Sequence, residues 1–274
     1  MISRRTLLLT PMALSACATP LPPINEEAIN PEAEALLQSS AQAHGFVALQ
    51  TLSEITVRYE GEWRPLVARL QPALIDDGFR GGSEEHLRLR EGVIDQLHTG
   101  PQGQKRVERR WSQTTPGTIR VWFNGAESND PDKRAAAALV ADGYALFLLG
   151  PMLLAGAWSS RRTALALAAP ERITVHGDAY DCDVLGMTLT PGLGLSKTDH
   201  IALHIDRGER LTRRVRFSLD GLAGTRGAVA EVDTFAHVTR DGVRWPVGFY
   251  ERLLRPVPLP VHDWRLTALS VART

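Results

Sequence analysis

Short alternating segments fill the second half of the chain, and this pattern constrains the fold more than any other feature of the sequence. Asp-Gly pairs at 220–221 and 241–242 each stand between two such segments, and this arrangement is a strong hairpin signal. After Pro170 we predict strands over residues 171–176, 179–190, 200–206, 211–219, 228–238, 243–252 and 263–271. Their regular spacing and short connections predict one curved antiparallel sheet.

The first half of the chain combines further strands with a short helix. Pro31 begins a predicted helix over residues 31–44, and Gly45 provides its C-terminal stop. Strand patterns follow over residues 55–63, 87–98, 104–111 and 118–124, with a short helical excursion over 66–80. The expected fold class is therefore mainly β within an α+β architecture.

One long apolar helix interrupts the strands at about residues 131–155. Asn129-Asp130-Pro131 forms a capped start, and Gly150-Pro151 ends the main helix. The second half of this helix is apolar almost all round, which indicates burial on several sides. Asp142 and Gly143 in its middle argue against a membrane span.

The first 16 residues have the layout of a secretory signal. Arg4 and Arg5 precede an apolar run over residues 7–14, which is too short for a bilayer that needs about 20 apolar residues. The Leu-Ser-Ala-Cys sequence that ends at Cys17 resembles the lipobox of bacterial lipoproteins. This resemblance implies cleavage before Cys17 and a diacylglycerol on its thiol. Residues 3–8 also resemble a twin-arginine export signal, which leaves the export route open between this and the general one.

We expect the lipid on Cys17 to hold the mature chain at a membrane, facing the periplasm. Residues 17–30 are rich in proline and acidic side chains, which is typical of a tether. Ala18, directly after the cysteine, favours the outer membrane under the sorting rule of Gram-negative lipoproteins. Residues 31–274 are expected to form a single β-rich domain.

The charge balance argues against a nucleic-acid-binding protein. The chain has 31 Lys and Arg against 31 Asp and Glu, whereas nucleic-acid-binding domains carry a basic excess. Of the two cysteines, Cys182 has no disulfide partner when Cys17 carries lipid. We therefore expect Cys182 to be a buried structural thiol.

The polar clusters of the C-terminal half do not form a catalytic or metal-binding signature. In a strand, the imidazoles of His200 and His204 would lie about 13 Å apart, so we expect a solvent-facing strand and no metal site. Arg214 and Arg216 are likewise expected on one exposed strand face. The acidic residues at 178–183 lack the spacing of a calcium loop. With no nucleophile or phosphate-binding motif, we predict no catalytic residue, metal or cofactor.

Three segments of the C-terminal half share a recognisable pattern: residues 206–217, Val-Asp-Thr-Phe at 232–235 and Gly-Val-Arg-Trp-Pro at 242–246. This pattern resembles the periplasmic lipoprotein carrier and the outer-membrane lipoprotein receptor, the LolA/LolB-like group. The resemblance implies an incomplete β-barrel, with a few helices covering its mouth and an apolar cavity that takes acyl chains. The chain is longer than a typical carrier and its apolar helix is larger, so no lipid-contacting position is carried over.

The long apolar helix is the candidate cavity lining under this resemblance. We expect Tyr144, Phe147, Leu148 and Met152 to contact a lipid or another apolar ligand. The hypothesis is a membrane-anchored periplasmic lipoprotein, not an enzyme, that binds such a ligand. Two alternatives stay open: an envelope scaffold or interaction protein with a filled core, and a hydrolase whose site is assembled from distant residues.

Overall fold

A computed structural model describes residues 20–24 and 28–273 of the chain. The predicted signal over residues 1–16, Cys17 and part of the predicted tether lie outside the described residues. The helices are α1 (Pro31–His44), α2 (Phe46–Leu49), α3 (Pro65–Leu70), α4 (Pro72–Ile75), α5 (Pro131–Leu149) and α6 (Pro151–Ala155). 

The strands fall into two consecutive groups separated by α5 and α6. The first group is β1 (Leu52–Trp63), β2 (Gly82–Arg88), β3 (Val93–Gly100), β4 (Gly103–Arg110), β5 (Thr118–Phe123) and β6 (Ala126–Glu127). The second group is β7 (Arg162–Val175), β8 (Asp178–Leu189), β9 (Asp199–Asp206), β10 (Thr212–Ser218), β11 (Val229–Phe235), β12 (Val238–Arg240), β13 (Val243–Trp245), β14 (Gly248–Arg255) and β15 (Leu259–Arg273).

Among the described residues, 13 strands form one curved sheet in the order β6-β5-β4-β3-β2-β1-β15-β14-β11-β10-β9-β8-β7. Neighbouring strands are antiparallel, and the pairing of β1 with β15 joins the two groups. Strands β12 and β13 form a separate small hairpin. The sheet curves without closing into a barrel, with β6 and β7 at its opposite edges. The predicted fold class, a curved antiparallel sheet with a few covering helices, is therefore confirmed.

Three strand predictions were wrong in their extent. The predicted strand over residues 243–252 is divided between β13 of the small hairpin and β14 of the main sheet. The predicted strand over residues 87–98 is the hairpin of β2 and β3, which turns at Gly92 with a positive φ of 65°. The predicted strand over 171–176 is only the second half of β7, which starts at Arg162. Pro170 is tolerated inside β7 because this strand lies at the sheet edge and its pairing shifts register near the proline.

Helix α5 lies in the concavity of the sheet, as its apolar sequence predicts. The Asp130 side chain caps its first turn by accepting from the backbone N–H groups of Asp132 and Lys133. Every residue of α5 over 136–149 is buried. Within the described part of the chain, no helix combines the length and hydropathy needed to cross a bilayer.

Asp142 attaches α5 to the sheet through a fully buried ion pair. Its carboxylate accepts from Nε and Nη2 of Arg109 on β4 at 2.9 and 2.8 Å, and both side chains are 0% exposed. The indole N–H of Trp111 and the backbone N–H of Gly194 donate to the same carboxylate at 2.8 Å. The charge is therefore buried with four donors, which is the condition under which a buried carboxylate is tolerated.

The glycine-rich turn at residues 192–196 is required by its close approach to α5. Gly194 has a φ of +61°, and a Cβ at this position would lie 2.8 Å from the backbone nitrogen of Leu139. Its carbonyl also accepts from Nη2 of Arg109 at 2.9 Å. A side chain at position 194 would therefore clash with α5 and disturb the buried ion pair.

The second half of β7 folds over the outer face of the sheet and buries residues that we expected to be exposed. His204 is 0% exposed and its Nε2 lies 3.2 Å from Glu171 of β7. Arg216 forms a bidentate pair with Glu171, and Arg214 donates to the carbonyl of Thr174. The prediction of a solvent-facing strand was therefore wrong for His204, Arg214 and Arg216, because another strand covers them. 

Cys182 is buried, as expected from the sequence. It is 1% exposed and packs in a small cluster with Ile173 and Val175 of β7. Burial raises the pKa of its thiol to about 12, which keeps the sulfur protonated and unreactive.

We expect Asp142→Asn to lower the free energy of unfolding by about 3–5 kcal/mol, because it leaves the buried guanidinium of Arg109 without a counter-charge. Urea unfolding followed by circular dichroism measures this change. Asp132→Asn is the matched control, because it removes an exposed charge from the first turn of the same helix and should cost less than about 1 kcal/mol. Equal losses in the two variants would contradict the role of the buried pair.

Candidate ligand-binding site

Tyr144 and Phe147 of α5 face the concave side of the sheet, where they meet a group of aromatic rings. The ring centroid of Tyr144 lies 5.5 Å from that of Tyr59 and 5.4 Å from that of Trp264. Phe147 lies 5.2 Å from Phe217 and 6.1 Å from Trp264. These separations are those of packed aromatic pairs, so this part of α5 rests on an aromatic wall.

The space beside this wall is small. A cavity lined in part by Tyr144, Phe147 and Glu251 has a volume of about 40 Å³. That volume holds a few water molecules, each of which needs at least about 10–15 Å³. Leu148 is buried in the core at 1% exposed. That Tyr144, Phe147 and Leu148 contact an apolar ligand remains a prediction.

Met152 lies apart from these residues, in a larger apolar groove at the α6 end of the molecule. The groove has a volume of about 370 Å³. It is lined by Phe46, Leu49, Gln50, Leu52, Leu89, Arg90, Met152, Leu153, Gly156 and Ala157. The chain brings this set together because Gly150 ends α5 and Pro151 begins α6, so that Met152 and Leu153 meet α2 and the start of β1.

A second feature, which we call the inner polar cluster, lies at the Tyr144 end of the concavity. It consists of Arg80, Glu85, Gln96, His98, Lys105, Tyr144, Glu251 and His262. Glu85 alternates with Leu87 on the concave face of β2, and it pairs across strands with Gln96 of β3. Glu251 of β14 lies opposite His262 of β15 in the same way. Ordinary strand alternation therefore points these polar side chains inwards.

Aromatic rings separate the members of the inner polar cluster. His262 stacks on Trp63 with ring centroids 3.9 Å apart and on Trp264 at 4.4 Å. The ring of Tyr144 completes the layer at 6.3 Å from His262. The cluster is therefore enclosed by π faces as well as by hydrogen-bonding groups.

Burial dominates the protonation of the cluster. It raises the pKa of Glu85 to about 8 and that of Glu251 to about 7, with a smaller opposing effect from Arg80. Burial also lowers the pKa values of His98 and His262 well below 6.5, and Arg80 adds to this effect. Near neutral pH the glutamic acid at position 85 and both imidazoles are therefore uncharged.

Residues 64–81, which we call the cover segment, close this end of the concavity. Val67 and Ile75 pack against Val261 of β15. Asp76 forms an ion pair with Lys105, and Arg80 reaches into the cluster while its Nη2 donates to the carbonyl of Leu74 at 3.4 Å. The cover segment thus supplies both apolar packing and two charged side chains to the cluster. 

Sequence reasoning missed the inner polar cluster entirely. The sequence does contain polar residues at the inward positions of β2, β3 and β14. The predicted strand over residues 87–98, however, merged β2 with β3, so the alternation of polar and apolar residues along each strand was not recognised. Among the residues that the structure describes, no group of three His, Cys, Asp or Glu side chains is arranged to hold a metal ion.

We expect Glu85→Gln to weaken the pH dependence of the free energy of unfolding between pH 6.5 and 8. The pKa of Glu85 is raised by burial from 4.5 to about 8, so the folded protein holds a proton that the unfolded chain releases. This contribution to stability is complete below pH 4.5 and is lost as the pH rises through 8. Glutamine does not titrate, so the variant should lose less stability than the wild type between pH 6.5 and 8.

The free energy of unfolding, measured in urea at several pH values in this window, checks that expectation. Glu91→Gln is the matched control, because Glu91 is exposed in the turn between β2 and β3 and its substitution removes the same charge outside the cluster. That variant should keep the decline of the wild type. The account of Glu85 fails if its glutamine variant loses stability as steeply as the wild type.

Comparison with known proteins gives matches at the level of structure. No protein-family model and no curated protein sequence matches the chain. A Vibrio parahaemolyticus domain that is named an outer-membrane lipoprotein-sorting protein is 8% identical and has a TM-score of 0.50, with 87% of this chain and 91% of that one covered. A DUF1329 family protein from Desulfovibrio piger is 11% identical with a TM-score of 0.51, and the match covers 88% and 92% of the two chains.

A LolA superfamily protein from Nitrosomonas europaea is also similar, at 8% identity and a TM-score of 0.48 over 90% of this chain and 95% of that one. Identities this low show a similar fold only, so the function of this chain has to be inferred from its own residues. The chain therefore shares the fold of these solved structures, as the resemblance noted in the sequence implied.

Proposed function

We propose that this protein is an exported, lipid-anchored binding protein that holds an apolar ligand, such as an acyl chain, in the apolar groove. The observation that carries the proposal is the groove itself. Its volume of about 370 Å³ falls within the range of about 300–1,000 Å³ that is usual for small-molecule sites. The proposed activity is binding and involves no catalytic step.

The chemistry of the groove suits an aliphatic ligand. Phe46, Leu52 and Leu89 form its walls together with Met152 and Leu153. Methionine adapts to irregular apolar partners because its side chain is unbranched and polarizable. Gln50 and Arg90 lie at the groove, and Arg90 donates to the carbonyl of Gln50 at 2.7 Å. An acyl chain would therefore contact carbon and sulfur along most of its length.

The proposed location follows from the N-terminal sequence. The lipobox-like sequence that ends at Cys17 implies a lipid at the start of the mature chain, and Ala18 favours the outer membrane. The Vibrio parahaemolyticus protein of similar fold is named for lipoprotein sorting at that membrane. A periplasm-facing protein tethered to the outer membrane would meet acyl-bearing molecules there.

The filled space around Phe147 makes the scaffold the second candidate. Phe147 is 6% exposed, and the cavity beside it measures about 40 Å³. A protein that used only this solid part of its core would need no ligand.

We expect Ala157→Trp to weaken binding of a fluorescent fatty-acid analogue at least about tenfold, because the indole would fill the groove where the ligand lies. Ser159→Trp is the matched control, since it adds the same side chain at an exposed position two residues away and should leave the affinity unchanged. Fluorescence titration measures both. Wild-type protein that binds no analogue would contradict the proposal and favour the scaffold.

A further inference from the structure

The inner polar cluster is a second concave site, separate from the apolar groove. We propose that it binds an organic cation, an ammonium or guanidinium group, and that Arg80 of the cover segment occupies it as an internal substitute. None of the residues of the apolar groove belongs to the inner polar cluster, so the cation site can be tested independently of the proposed function.

The strands that form this site carry two carboxyl groups towards it. Glu85 is 1% exposed, and its Oε1 has no hydrogen-bond partner among the described residues. Glu251 lines the small cavity beside Tyr144. Neither glutamate forms an ion pair within 4.0 Å of any basic group in the described part of the chain. Burial keeps the Glu85 carboxyl protonated near neutral pH, and a bound cation would stabilise its ionised form and that of Glu251.

Aromatic faces surround the same space, as in sites that recognise cations. Trp63 and Tyr144 line both the cavity that contains Glu251 and the neighbouring one that contains Arg80, where Trp264 and His262 join them. The π face of an aromatic ring carries negative potential and attracts a cation within about 6 Å of the ring centroid. Carboxyl groups and ring faces therefore favour the same sign of charge in a ligand.

Arg80 already behaves as a cation in this position. Its Cζ lies 5.5 Å from the ring centroid of Trp63, at the edge of the cation–π range. It has no carboxylate within 4.0 Å among the described residues, and its Nε has no hydrogen-bond partner there. The guanidinium is thus held by the carbonyl of Leu74, the hydroxyl of Tyr144 and the ring of Trp63, without the carboxylate partner that Arg109 has. 

An anion fits this site less well than a cation. The ammonium of Lys105 is already paired with Asp76. An anionic group would have to approach the ring faces, which repel negative charge, and it would oppose the ionisation of Glu85 and Glu251. Only Arg80 would favour it, and Arg80 belongs to the cover segment rather than to the strands that form the walls.

Isothermal titration calorimetry with three probes of equal tail length tests the inference: octylammonium, octanoate and octanol. Arg80→Ala removes the internal cation and should bind octylammonium about tenfold more tightly than the wild type does. Glu251→Gln, added to Arg80→Ala, should reverse that gain. Arg110→Ala is the matched control, because Arg110 is exposed on the outer face beside Glu108 and its loss should not change the affinity.

Selective binding of octylammonium that depends on Glu251 supports the cation site. Preferential binding of octanoate that is lost in Arg80→Ala would overturn it and show that Arg80 receives an anion. Equal affinity for the three probes, or no binding to Arg80→Ala, would overturn it as well. If Arg80→Ala does not fold, Arg80→Met keeps an unbranched side chain of similar reach and takes its place in the same titrations.

Discussion

Asp142 carries the one charge on the buried part of α5, and the position of that helix in the sheet depends on it. Two separate parts of the chain donate to its carboxylate: Arg109 and Trp111 around the end of β4, and Gly194 in the turn before β9. Any rotation or sliding of α5 would separate the carboxylate from these donors inside the core, where unpaired charges cost several kcal/mol. Helix α5 is otherwise apolar and could pack against the sheet in several orientations. The hydrogen bonds to Asp142 hold it in one orientation.

The fixed position of α5 determines where space remains in the concavity. The middle of the helix is packed from all sides, since every residue over 136–149 is buried. Two of the remaining spaces differ in chemistry. The break at Gly150 opens the apolar groove beside Met152, whereas the Tyr144 end meets the carboxyl groups and imidazoles of the inner polar cluster. Our two proposals follow this division.

Local sequence patterns were sufficient for the elements but not for their mutual arrangement. The predicted helix over residues 31–44 agrees with α1 because Asn30, Pro31 and Gly45 mark its ends directly. The pairing of Asp142 with Arg109 spans 33 residues and has no local signal. The sequence pattern predicts correctly which residues of β9 and β10 share a face. It does not predict that these residues are buried, because the second half of β7 lies over the outer face of both strands.

The candidate site could likewise not be predicted from local sequence patterns. The predicted ligand contacts are close in sequence: Tyr144, Phe147, Leu148 and Met152. Helix α5 ends before Met152, and its periodicity directs the other three side chains to different surroundings. The glutamates at positions 85 and 251 become neighbours of one tyrosine only when strands distant in sequence pair in one sheet.

Mass spectrometry of protein extracted from the membranes of its own host, without added lipid, tests the central claim that this is a lipid-anchored binding protein. We expect a mature chain that begins at a diacylglyceryl-modified Cys17, and an organic extract that contains an apolar species in near-equal molar amount. A clean extract would contradict the binding function, and an unmodified Cys17 would contradict the anchor.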